Sequence, residues 1–527
     1  MQPAPLGNYT FVKTKALFGH SGWWPEIAVL VLGVGAAILF HGMPVSHDVV
    51  WQMWLARQIA HGVELYADII EINPPLWFWL GASVQAVAEY FALKPVQVLV
   101  GGVFFYAGIA LALIAWLIRA QAPVCRAVIL LTALMAMVVL PISDFGQREH
   151  LALIGALPYV FVMARRRQGQ ALPIPLAFLV GLAAALGFAL KHYFLLVPVF
   201  LELWLVAALG KSWRPMRPET LALLAAAALY AAAVALFTPA FFTVTAPMVA
   251  LAYSGYDMSL QWLFFTPWAL IWALGLVGIF SLRHSLPPLA VAALLAFLGF
   301  ALAYFLQQKG WRYHGLPASG SLALATAAIM VSWKRPLRQA ARHPAVIAVG
   351  LLLLLFAGQG GAYSNPFKAA MRQAMGGAKP GDVVMVFSAH ASLAWPMVDN
   401  AGFIWPSRYF TFWMLPAIAR GTSPEKSPDP GMRSLADRFQ ELARSVRAQT
   451  RKDLFCHPPR LIIVDDGGRG GAAPGGGFSI FEFFKQDPGL KSLFSHYRRT
   501  GTVDRFTTYV LADDWRPPVP ADCRIIY

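Results

Sequence analysis

Uninterrupted apolar stretches constrain this chain more than anything else in it. Ile27 to Phe40, Val96 to Ile118, Leu221 to Phe237, Leu289 to Leu306 and Val346 to Phe356 contain almost no charge. Several approach the roughly 20 residues that a hydrocarbon core requires of a helix. Only 13% of the 527 residues are charged, where a soluble protein of this length needs roughly 25% to cover its surface. The reading is a mainly α, polytopic transmembrane bundle of about 11 spans. The first apolar run has no small-residue cleavage site, so it reads as a span and not as a removable signal.

The net charge of +16 would suggest nucleic acid in a soluble protein. Here no basic stripe with interleaved aromatics stands clear of the apolar runs, so nucleic acid is not expected as a partner. The basic residues lie in short connections, which topology explains. The clusters are Lys13 and Lys15; Arg119 and Arg126; Arg165 to Arg167; Lys211, Arg214 and Arg217; Arg283; and Lys334, Arg335, Arg338 and Arg342. With these on the cytoplasmic side, the connections 44–95, 142–149, the turn at Lys191, 238–262 and 307–314 face outward. Within 44–95, the stretches 48–62 and 75–93 read as interfacial helices, because Gln85 and Glu89 would be costly in a span. Excess charge at the mouths also suits contact with anionic membrane lipid.

Composition changes after Gly361. Val383 to Phe387, Leu461 to Val464 and Thr507 to Leu511 read as strands, and Ser434 to Arg447 as a helix between them. The division expected is a cytoplasmic segment 1–25, a transmembrane module 26–361 with its first outward loop at 44–95, and a small outward-facing α/β domain 362–527. The tract Gly467 to Gly477 lacks the Gly-Lys-Ser/Thr of a phosphate loop and reads as a flexible linker. Three cysteines are too few for a disulfide scaffold and wrongly spaced for zinc. If the C-terminal domain is extracytoplasmic, Cys456 and Cys523 are able to pair; spacing alone leaves this open.

Ionisable residues gather at one set of mouths, where a membrane bundle does not need them. His47 and Asp48 follow the first span; read locally, Asp48 is a helix cap. Glu64, Asp68 and Glu71 precede Pro74-Pro75. Asp144, Arg148, Glu149 and His150 crowd the shortest outward connection. Lys191 and His192 lie at a reversal between apolar runs. Lys309, Arg312, Tyr313 and His314 crowd another boundary, and two cations there violate the basic rule unless they hold an anion. Carboxylates and cations together suit transfer of a group from a phosphate to a hydroxyl. The carboxylate takes the hydroxyl proton, and the cations meet charge developing on the departing phosphate.

The order of these features resembles the C superfamily of integral-membrane glycosyltransferases, especially its aminoarabinose transferase and protein O-mannosyltransferase branch. An early Asp48 follows the first span, Gly62 to Tyr66 reads Gly-x-x-x-Tyr, and Asn73-Pro-Pro-Leu76 closes the loop. The likeness covers residues 26–118 best and extends loosely through Lys191 and Arg312-Tyr313-x-x-Leu316-Pro317. It implies a polyprenyl-phosphate-linked sugar donor and an acceptor hydroxyl on a cell-envelope glycan, lipid or protein. The reaction would lie on the outer face of a bacterial cytoplasmic membrane, with no metal or other cofactor. By the same resemblance Asp48 is the base, Lys191, Arg312 and Tyr313 fall near the donor phosphate, and Asp144 matches the second acidic position; the run Gln147 to His150 belongs to neither pattern. The charge clusters themselves add Lys309 and Arg148 to the expected phosphate set, and place His47, Glu71, Asp144, Glu149, His150, His192 and His314 with the sugar and acceptor. Two positions depart from the pattern: Val49 follows Asp48 where the mannosyltransferases have Asp-Glu, and Asn73 stands where the aminoarabinose transferases have Lys. A transporter of lipid-linked sugars is the competing reading, and it requires ionisable residues deep in broken spans. Glu202 is the main acid inside an apolar run. A membrane-anchored glycan-binding scaffold is the third reading, and it leaves the clusters at 144–150 and 309–314 unexplained.

Overall fold

A computed structural model describes residues 22–283, 286–333, 339, 342–360, 365–421, 430–466, 478–512, 515, 520 and 523. The expectations placed on Lys13, Lys15, Lys334, Arg335, Arg338 and Gly467 to Gly477 lie outside the described residues. Contacts divide the chain into two units. The first comprises 1–43, 100–227 and 260–361, and the second 44–99, 228–259 and 362–527. Residues 44–99 and the segment 228–259 thus cluster with the C-terminal residues, a grouping that composition along the chain does not reveal.

Among the described residues, five helices are long and apolar enough to cross a membrane: Pro95–Ile118, His192–Ser212, Pro218–Phe237, Pro288–Gln307 and Arg312–Val331. Shorter apolar helices are Trp24–Phe40, Pro123–Val138, Ile174–Phe188, Pro267–Phe280 and Pro344–Phe356. Large apolar side chains stand bare along them, with Leu39, Leu229 and Leu236 each more than 70% exposed. Rows of this kind need lipid and not water around them. The chain is a multi-pass membrane protein.

Two helices form the interior of the first unit. Arg148–Arg167 is buried continuously from Arg148 to Ala164, and Leu316–Val331 from Leu316 to Ile329. Small side chains allow the close approach on which helix association in lipid depends. A Cβ on Gly320 would lie 2.6 Å from the Leu153 side chain, and one on Gly155 would lie 2.5 Å from the Ala183 carbonyl oxygen. That carbonyl also accepts the Tyr106 hydroxyl at 2.6 Å. Gly155→Val is therefore expected to push two helices apart and destabilise the unit by about 1–3 kcal/mol, read as a lowered melting temperature in detergent. Hydroxyls in Leu316–Val331 are satisfied within the helix, Ser321 on Pro317 O and Thr326 on Leu322 O, as a dry environment demands.

In the second unit the helices His47–Ala60 and Leu76–Tyr90 pack on each other. His47–Ala60 buries nine of its fourteen residues, so it is held within its unit and does not lie open along one side. Its neighbours come from the C-terminal part. Trp51 stacks on Phe410 with centroids 4.0 Å apart, Trp54 meets Trp395 at 5.4 Å, and Arg57 pairs with Asp399 at 3.3 Å. Burial pushes the Asp399 carboxyl above its usual range, against the pull of Arg57.

The C-terminal part carries a mixed four-stranded sheet in the order β1-β2-β4-β3. Its strands are β1 (Val384–Phe387), β2 (Leu461–Asp465), β3 (Tyr497–Val503) and β4 (Phe506–Leu511). β1 runs parallel to β2, and β4 is antiparallel to both of its neighbours. The helix expected over Ser434 to Arg447 extends across Pro430–Cys456. A disulfide joins Cys456 to Cys523 across 67 residues. Cross-links over loops of this size contribute about 2–5 kcal/mol by constraining the unfolded chain. Cys456→Ser is expected to lower the thermal midpoint, and reductant to have no further effect on that variant.

Candidate active site

The charged residues of the first unit collect where three helices begin. Arg148 opens Arg148–Arg167, Lys191 directly precedes the turn His192–Leu195 that leads into Leu196–Leu209, and the turn Arg312–Gly315 leads into Leu316–Val331. Helix starts carry free N–H groups and partial positive charge, so all three favour an anion.

The Lys191 ammonium is 2.5 Å from Glu149 Oε1, 2.9 Å from Gln307 Oε1 and 3.3 Å from His314 Nε2. Lys191, Glu149, Gln307 and His314 are all buried. Arg312 donates to Asp144 Oδ2 at 2.5 Å, and Ser143 Oγ lies 3.2 Å from the same oxygen. Lys309 is buried as well, and with Lys191 and Arg148 it acts electrostatically on His314. Gln308 in the left-handed region, φ +53°, reverses the chain after Pro288–Gln307 and so presents Lys309.

Arg148 differs from its neighbours. It is 3% exposed, and its Nε and Nη1 have no hydrogen-bond partner among the described residues. Buried guanidinium nitrogens without a partner are costly. Glu149 Oε2 and His314 Nδ1 are likewise buried without a partner there.

His150 is fully buried and spends both ring nitrogens on backbone. Nε2 donates to the Met137 carbonyl at 2.7 Å, and Nδ1 accepts from the Gly146 N–H at 3.1 Å. Gly146 sits at φ +84°, a conformation that suits glycine. Phe145 packs on His150, Phe40 and Phe104. Together these fix the loop that carries Asp144 and Arg148. His192 is exposed and rests on Tyr193 at 3.9 Å, outside the buried group. Tyr313 is half-buried against the His314 ring at 4.6 Å.

The remaining expected residues belong to the second unit. Asp48 lies in the first turn of His47–Ala60, but the cap is Ser46, whose hydroxyl accepts the Val49 N–H. The Asp48 carboxylate is therefore not consumed by capping. It accepts from Trp51 Nε1 at 3.3 Å, and His47 Nε2 lies 3.3 Å away. Glu71 is fully buried and accepts both the Asn73 backbone and side-chain N–H groups, at 3.1 and 2.7 Å. The Tyr66 hydroxyl donates to Asn73 O at 2.5 Å, and Ile70 N donates to Arg408 O at 3.0 Å. The loop from Gly62 to Leu76 is thus a built structure held by its own carboxylate and by the C-terminal part.

Two features lay beyond sequence reasoning. Gln307 stood in a noted run without a role, and nothing marks it except being the last polar residue of an apolar helix. Glu202 proves to be engaged by Arg217 and by Trp213 Nε1 at 3.1 Å, and neighbouring Glu219 by Arg166 and Arg217 at 2.8 and 3.0 Å. Among the described residues no group of three or more His, Cys, Asp or Glu has an arrangement that could hold a metal ion.

No protein-family model matches this chain, and no curated protein matches it. Among solved structures it is similar to ArnT from Cupriavidus metallidurans bound to undecaprenyl phosphate. That match has a TM-score of 0.52 at 10% identity and covers 95% of this chain and 100% of that one. The archaeal oligosaccharyltransferase AglB from Archaeoglobus fulgidus, in complex with an inhibitory peptide and a dolichol-phosphate, is more distant. It has a TM-score of 0.41 at 12% identity, covering 95% of this chain and 76% of its own. The likeness to ArnT is one of fold.

Proposed function

We propose that this protein transfers a sugar from a polyprenyl-phosphate donor to an acceptor hydroxyl. The carrying observation is Arg148, a buried guanidinium whose Nε and Nη1 lack partners among the described residues, in a cluster with buried Lys191 and Lys309 where three helices begin. Such a site suits an anion with several oxygens, and a guanidinium fits phosphate, like carboxylate, in bidentate fashion. The resemblance at Asp48, Gly62 to Tyr66 and Asn73 to Leu76, and a fold shared with a protein bound to undecaprenyl phosphate, support the lipid-linked form.

In this mechanism Asp48 accepts the acceptor's hydroxyl proton as its oxygen attacks the anomeric carbon. The bond from that carbon to the phosphate oxygen breaks, and its electron pair leaves on the phosphate. Arg148, Lys191, Lys309 and Arg312 stabilise the growing charge, while Glu149, Asp144 and Gln307 hold the cations in place. Attack opposite the leaving phosphate inverts the anomeric centre. His47 and Glu71 serve the acceptor side, and His150 acts by fixing the Asp144–Arg148 loop. About 11 spans, with this cluster outward, accommodate the ten apolar helices and the buried Arg148–Arg167. The Cys456–Cys523 disulfide supports an oxidising compartment for the C-terminal part. A transporter reading gains nothing from Glu202 and Glu219, since both are neutralised by arginine.

The experiment is incubation of purified protein with a panel of polyprenyl-phosphate sugars, scoring free polyprenyl phosphate. Release from at least one donor in the presence of acceptor is expected; no release from any donor and acceptor pair counts against the proposal.

A further inference from the structure

A general base works from one place, and the contacts around Asp48 show what keeps it there. Trp51 Nε1 donates to Asp48 Oδ1 at 3.3 Å, the long end of a hydrogen bond, so a small tilt of the indole loses it. That tilt is set by Phe410, whose ring lies 4.0 Å away and within 6° of parallel. Trp51 and Phe410 are both buried. Resting on the transfer reading above, we infer that the segment Arg408-Tyr409-Phe410 of the C-terminal part is a positioning brace for the reaction. It holds the Asp48 carboxylate through the Trp51 indole, and the loop that carries Glu71 through Ile70.

The segment has no regular secondary structure of its own, yet it is anchored at every residue. Its three successive carbonyls each accept an N–H from outside it: Arg408 O from Ile70 N at 3.0 Å, Tyr409 O from Trp405 Nε1 at 2.9 Å and Phe410 O from Trp395 Nε1 at 3.0 Å. The Arg408 backbone N–H donates to Asp453 Oδ2 at 2.8 Å, and its Nη2 to Oδ1 at 2.9 Å. Asp453 is buried, and a guanidinium forked on a carboxylate fixes direction as well as distance. Ile70 adjoins Glu71, which the transfer reading gives to the acceptor side. One braced segment thus sets the base and the acceptor loop in a common frame, within one compact unit. Holding reacting groups in place beforehand is what positional catalysis requires. The C-terminal part is thereby a working piece of the active site.

The test is a double-substitution cycle read in kcat for polyprenyl phosphate release, with the full-length protein in detergent well below the melting midpoint of every variant. Phe410→Leu keeps the place apolar but removes the flat face, and should lower kcat by about 10–100-fold. Trp51→Phe keeps a ring against Phe410 but removes the N–H, and should lower kcat by a similar factor. The double variant should match Trp51→Phe within about twofold, because residues that act through one contact are not additive. Donor KM should stay within about twofold throughout, since loss confined to kcat marks an interaction made in the transition state. A role in folding alone moves the melting midpoint and leaves the kcat of folded protein unchanged. If Phe410→Leu does not fold, Phe410→Met, flexible and gap-filling, takes its place in the cycle. Losses that multiply in the double variant, or a kcat for the Phe410 variant near that of the unaltered protein, overturn the brace while leaving the transfer reading standing. No release by the unaltered protein overturns that reading, and the brace with it.

Discussion

Asp48→Asn is expected to lower turnover by about 10²–10⁴-fold, the usual contribution of a positioned general base, with the protein still folded and inserted. The amide has the shape of the carboxylate but takes no proton. Ser46 caps the helix, and the amide oxygen can still accept from Trp51 Nε1, as Asp48 Oδ1 does. The donor KM should change little, because the phosphate is assigned to other residues. Initial rates at saturating donor, beside a melting curve of the variant, make the measurement. Turnover near that of the unaltered protein removes Asp48 from the mechanism.

The second large effect belongs to Arg148, and here stability and activity should move in opposite directions. Arg148→Met removes a donor aimed at developing charge, which costs about 10²–10³-fold in kcat. It also removes a buried cation whose Nε and Nη1 have no partner among the described residues. Replacing such a group by a packed apolar one of similar size is neutral or stabilising, so the melting temperature should hold or rise. Lys191→Met makes the contrast. It strands fully buried Glu149, and breaking a buried pair costs about 3–5 kcal/mol, so this variant should melt lower. A structural role for Arg148 predicts the reverse order.

How much of this was legible beforehand depends on distance along the chain. Apolar runs marked the membrane helices because each helix satisfies its own backbone in lipid. The crowding of charge at 144–150 and 307–314 was legible for the complementary reason, since lipid gives such residues no other excuse. Pairings were not: that Lys191 meets Glu149 and Gln307, or that His150 serves the backbone at Met137, depends on contacts that no local pattern carries. Asp48 was read locally as a cap, and Ser46, two residues earlier, holds that place. β3 escaped because Arg498 to Thr502 is an exposed edge with no apolar alternation and a register shift at Gly501. The long helix Pro430–Cys456 was cut short because its later turns are polar. The association of 44–99 and 228–259 with the C-terminal residues is a tertiary fact throughout.

One assay bears on the central assignment directly: polyprenyl phosphate released from a lipid-linked sugar donor by purified protein, compared with the Asp48→Asn and Arg148→Met variants. The mechanism calls for acceptor-dependent release that both variants suppress by at least about a hundredfold. Release that survives both substitutions unchanged, or donor sugar recovered intact across the whole panel, contradicts it.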